Sequence, residues 1–138
     1  MALEAVETIV AHAIVGADGR IDIQAPPSIE VPVGALLVLK ATYRIRDERD
    51  AEEDTEIRFQ SQTGGTGPAP ATIRRHDHPI LNDEAWGYLS QSHRFQAKGD
   101  HVVQFELIVR QARHGWGHAE DEESKVLRAE GTLAVRAV

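Results

Sequence analysis

Apolar and polar positions alternate along most of this chain. The clearest stretch runs from His93 to Val109, HRFQAKGDHVVQFELIV, where a turn at Lys98-Gly99-Asp100 opens into nine alternating residues. Side chains of a strand point to opposite faces with period two. His101, Val103, Phe105, Leu107 and Val109 therefore share one face. Asp100, Val102, Gln104, Glu106 and Ile108 take the other, which is mostly polar. This spacing predicts a half-buried strand and not a helix.

The same period recurs elsewhere. From Leu37, the residues Leu39, Ala41, Tyr43 and Ile45 share a face opposite Val38, Lys40, Thr42 and Arg44. Glu56 to Gln60 reads as a strand with Ile57 and Phe59 inward, and Trp86 to Phe95 as one whose polar face carries Ser90, Ser92 and Arg94. Val126 to Val138 sets Leu127, Ala129, Leu133, Val135 and Ala137 against Arg128, Glu130, Thr132 and Arg136. Thr8 to Val15 alternates weakly, and Ala2 to Ala13 also admits a helical reading. Gly16-Ala17-Asp18-Gly19 is a turn signal, followed by a short strand from Arg20 to Ile23. Ala25-Pro26-Pro27 interrupts pairing, because proline has no N–H to donate. Ile29 to Val33 and the surroundings of Ile73 are short strand candidates. Thr63 to Pro70, rich in glycine and proline, reads as a flexible linker.

These elements predict one all-β domain over residues 1–138, a β-sandwich of about seven to nine antiparallel strands. Val33-Gly34-x-x-Leu37-x-Leu39-x-Ala41, the alternation from Phe95 to Val109, and the terminal Leu133-x-Val135 resemble bacterial immunoglobulin-like domains, most of all the polycystic-kidney-disease type. The resemblance spans about Pro32 to Val138 and implies Greek-key connections. That family carries tyrosine where His101 stands here. It implies a fold and not a function.

Composition narrows the function. The chain has 138 residues, 41% of them hydrophobic but only 5% aromatic, so the core rests on Val, Ile, Leu and Ala. Its formal net charge of −7 argues against a nucleic-acid or anionic-membrane surface. Without cysteine, neither disulfide nor thiolate chemistry is available. Glu4 and Glu7 stand where a signal peptide would be basic, and no apolar run approaches the roughly 18 residues of a membrane span. The expectation is a soluble, acidic protein, cytoplasmic as synthesised.

Candidate chemistry concentrates in three connections. Arg46 to Asp54 is densely charged, and Glu120 to Glu123 is acidic; in a sandwich of this type both leave from the same end. Hard cations such as Ca²⁺ favour several oxygen ligands, although no regular Asp-x-Asp-x-Asp-Gly loop is present. His114-Gly-Trp-Gly-His118 places an aromatic anchor between glycines. A contact surface is therefore expected at Arg113, His114, Trp116 and His118, flanked by Asp47 and Glu48. His76 and His78, with His114 and His118, form the alternative, a Ca²⁺- or Zn²⁺-binding module or a small metal-dependent hydrolase. His101 is expected to be a buried, hydrogen-bonded structural residue, whereas His12 and His93 follow no pattern. No serine-elbow, phosphate-loop or His-Glu-x-x-His motif occurs. The function expected is non-enzymatic binding or scaffolding without a cofactor, as an accessory subunit of a larger assembly or a virion decoration-type protein. Its partner would be another protein or a second copy, with Val102 and Ile108 packing across edge strands in the latter case.

Overall fold

The computed structural model describes residues 5–16, 19–46, 53–76, 84–113 and 125–138. Among them the chain is all-β, with no helix. Its strands are β1 (Ala5–Val15), β2 (Arg20–Ile23), β3 (Ser28–Val31), β4 (Leu36–Arg46), β5 (Glu53–Gln62), β6 (Ala71–His76), β7 (Glu84–Arg94), β8 (Gly99–Arg113) and β9 (Lys125–Ala137). They form two sheets, ordered β2-β1-β4-β7 and β3-β9-β8-β5-β6.

The sheets are mixed, which corrects the expectation of purely antiparallel strands. β1 runs parallel to β4, and β3 runs parallel to β9. Parallel neighbours need a long connection between them. Here β2 and β3 supply it for the first pair and nearly the whole chain for the second. The helical alternative for Ala2 to Ala13 is excluded from Ala5 onward by β1. Its weak alternation has a local cause. The register with β4 shifts between Ile9 and Ala11, so Val10 and Ala11 are both buried. Such a bulge inserts one residue and flips the facing of those that follow.

The inward faces follow the alternation closely. Leu37, Leu39, Ala41 and Ile45 of β4 meet Ile57 and Phe59 of β5, Val103, Leu107 and Val109 of β8, and Leu133 and Val135 of β9 in one core cluster. Each fully buried Leu, Ile, Val or Phe contributes about 1.5–3 kcal/mol. Phe59 and Phe105 are the large members, edge to face with centroids 6.3 Å apart.

The segment from Thr63 to Pro70 is not a linker. Thr63 and Thr66 exchange backbone hydrogen bonds of 2.8 and 3.2 Å across Gly64 and Gly65, whose φ values of 60° and 83° suit glycine. The chain then turns back along β5. A Cβ at position 67 would collide with the Ser61 carbonyl oxygen, so only glycine allows this close approach.

Candidate functional site

The strand ends nearest the predicted contact surface converge. Glu53 of β5 pairs with Arg113 of β8, Gln111 pairs with Lys125 of β9, and Asp54 pairs with His76 of β6. In the other sheet Arg46 pairs with Glu84. The roots of the segments 47–52, 77–83 and 114–124 thus lie at one end of the two sheets. Arg113 and His76 are the last residues of their strands. Asp47, Glu48, His78, His114, Trp116 and His118 lie outside the described residues. Among the described residues, no three His, Asp or Glu side chains are grouped to hold a metal ion.

His101 is only partly buried. Its Nε2 lies 3.0 Å from the Ala97 carbonyl oxygen and its ring packs on Phe95 at 4.6 Å between centroids. The hydrogen bond expected of it is present, but it sits at the rim, where β8 begins, so burial is incomplete. Val102 is exposed and Ile108 half-buried on the outer face of β8. That strand lies inside its sheet between β9 and β5, so neither residue belongs to an edge.

The buried histidine is His93. It extends from β7 between the sheets, with Gln91 two residues before it on the same face, and both meet Ser61 of β5. The Ser61 N–H and hydroxyl lie 3.1 and 3.0 Å from Gln91 Oε1, and the Gln91 amide donates to the Ala69 carbonyl at 2.9 Å. With its proton directed at Gln91, the Ser61 oxygen accepts from His93 Nε2–H at 2.6 Å. A serine nucleophile needs the imidazole as acceptor; here the polarity is reversed. The cluster works as a polar bridge between sheets, and every buried group in it that the bridge uses has a partner.

Burial holds the His93 pKa below its ordinary value. The unfolded chain therefore binds a proton at a pH where the folded chain does not. Stability from this group is present above about pH 6.5 and declines as pH falls toward the lower folded value. Thermal unfolding of the parent chain and of His93→Gln, compared between about pH 8 and pH 5, should show a steeper acid loss for the parent. Parallel curves would mean that His93 is not held neutral by the fold.

The opposite face of β7 carries the exposed aromatic residues. Trp86 and Tyr88 are 63% and 58% exposed. Register pairs Trp86 with Arg44, itself paired with Ile14, and Tyr88 with Thr42, itself paired with His12. The Arg44 guanidinium lies 4.5 Å from the Trp86 ring centroid, and Lys40 Nζ lies 4.6 Å from that of Tyr88. In the neighbouring strands His12 Nδ1 and Thr42 Oγ1 are hydrogen-bonded at 2.7 Å. Lys40 also pairs with Glu7 at 3.1 Å, which fixes its ammonium over the ring. Ile9 adds exposed apolar surface on β1. Cation–π contacts at exposed sites contribute about 0.5–1 kcal/mol each, enough to hold the rings in place without burying them. No protein-family model, curated protein or solved structure matches this chain.

Proposed function

We propose that this chain is a non-enzymatic binding module, an immunoglobulin-like β-sandwich with Greek-key connections, serving as an accessory subunit that docks a protein partner. The order of β3 to β9 supports the sandwich type. The chain changes sheet between β3 and β4, between β4 and β5, between β6 and β7, and between β7 and β8, while β5–β6 and β8–β9 are adjacent pairs within one sheet. The β1–β2 hairpin is then an addition along the outer edge of β4.

The observation that carries the binding reading is the pair Trp86 and Tyr88. Two large aromatic rings on an outer sheet face, each held by a cation, form the residue set that dominates binding hot spots. β7 is an edge strand, and Trp86 lies two residues from the end where the connection roots converge. The partner surface therefore centres on Trp86, Tyr88, Arg44 and Lys40 and continues toward that end. The partner complements these cations with acidic side chains.

Affinity capture from the native host, followed by titration of the purified partner, tests this. Trp86→Ala should weaken binding by about 30-fold or more. Thermal stability should fall by no more than about 1 kcal/mol, the worth of the lost cation–π contact with Arg44. A partner that binds Trp86→Ala and Tyr88→Ala as tightly as the parent would overturn the assignment.

A further inference from the structure

The outer face of the other sheet holds a cleft of about 770 Å³, within the roughly 300–1,000 Å³ typical of ligand sites. We propose that this cleft binds a neutral saccharide. Its floor is two adjacent rows of side chains across three strands. Gln60, Glu106 and Glu130 form one row, and Gln62, Gln104 and Thr132 the next. Strand spacing and rise make this floor about 7 by 10 Å. Pro68 and Pro70 form the wall beside β5, brought there by the close passage of Gly67 over Ser61. The cleft lies toward the end of the sheet away from the converging connection roots, on the face opposite to Trp86.

The floor is ordered by its own hydrogen bonds. Gln60 Nε2 donates to Glu106 Oε1 at 2.8 Å, and Gln62 Nε2 donates to Gln104 Oε1 at 3.0 Å. Each amide keeps hydrogen-bonding capacity beyond these contacts, so the floor offers donors and acceptors interleaved at short intervals. A ligand that matches it must carry both kinds of group at similar spacing, as a run of sugar hydroxyls does. Proline rings give the apolar wall that the C–H face of a sugar ring requires.

Charge disfavours an anionic ligand. Glu106 and Glu130 are directly paired across β8 and β9, so their carboxyls stand side by side on the floor. Burial and Glu130 hold Glu106 above the usual carboxylate range, against the pull of Arg128. Arg128 Nε lies 3.5 Å from Glu106 Oε2 and offsets the remaining negative charge. An anion would face the Glu106 and Glu130 carboxyls, and the amides, hydroxyls and proline rings in the rest of the lining carry no charge.

The test is an immobilised panel of neutral oligosaccharides built from glucose, galactose, mannose, xylose and N-acetylglucosamine, followed by calorimetric titration of whichever is retained. At least one should bind, with a Kd between about 10 μM and 5 mM. Gln104→Ala and Gln62→Ala should each weaken it about tenfold with an unchanged melting temperature. Arg20→Ala, on the far edge of the other sheet, should leave it unaltered. No retention of any panel member up to about 5 mM, or affinity untouched by both glutamine substitutions, would overturn the proposal. So would retention only of sulfated or uronic-acid glycans, which would show the arginines and not the cleft floor at work.

Discussion

A chain carrying Gly131→Ala is expected to lose about 2–4 kcal/mol of stability, and Phe105→Leu in the same chain is expected to return part of that loss. Gly131 of β9 pairs directly with Phe105 of β8, and directly opposed residues share a face. The Phe105 ring lies across the bare backbone at Gly131. A Cβ there would meet Phe105 Cζ within contact distance and Cε1 at 2.8 Å. The ring has no room to retreat. It is 3% exposed and packs edge to face on Phe59, which is fully buried. Alanine at 131 therefore forces an off-rotamer phenylalanine or separates β8 from β9. Leucine at 105 is shorter and removes the collision, so the two changes should be non-additive by more than about 1 kcal/mol. Urea unfolding of the four chains of this cycle measures the effect. An unchanged midpoint for Gly131→Ala would show that the ring does not occupy that space.

Gln91→Leu should cost a similar amount, about 2–4 kcal/mol, although it replaces a polar core residue with an apolar one of like size. Gln91 is 2% exposed and is the hub of the bridge between sheets. Its Oε1 accepts from both the Ser61 N–H and the Ser61 hydroxyl, and its amide donates to the Ala69 carbonyl. Leucine would leave a buried donor in β5 without an acceptor and release the segment that leads into β6. Partial removal of a polar network costs more than its net worth, because the stranded groups keep their desolvation penalty. Thermal unfolding measures the loss. Hydrogen exchange at the Ser61 amide checks its location, since that amide should lose protection before its neighbours in β5. Gln91→Leu with parental stability and parental protection at Ser61 would refute this account of the bridge.

Much of this architecture was legible in the order of residues. β4, β8 and β9 follow their alternation because one face of each is buried and a slip of one residue would expose the whole apolar set. The parallel pairings were not legible, since period two tells a strand which way its side chains point but not which neighbour it takes. In β1 the bulge between Ile9 and Ala11 blurred even the period. His93 reads as pattern-free, and Gln91 draws no notice beside it, because polar residues seldom stand inward. A signal was there: Leu89 and Phe95 bracket them at the same parity, opposite Ser90, Ser92 and Arg94. Trp86 and Tyr88 share the parity of those polar residues, so their exposure was equally readable. The cleft floor left no local trace. Gln60, Glu106 and Glu130 are brought together only by the registers of three strands.

The parallel seating of β3 against β9 also sets the order in which the molecule can be completed. Ser28 pairs with Ala134, and the chain around Val31 and Val33 exchanges backbone hydrogen bonds with Val138 at 2.9 and 3.1 Å. A ribosome delivers residues at roughly 5–20 per second, so β3 waits several seconds for its partner strand. Until then Ile29 and Val31 have no sheet to join, and the apolar face of β9 is the last to arrive. Closing so long a loop late in folding makes this pairing slow. β9 therefore acts as a latch, and a chain stalled just short of it would expose the core that the strands before it had assembled.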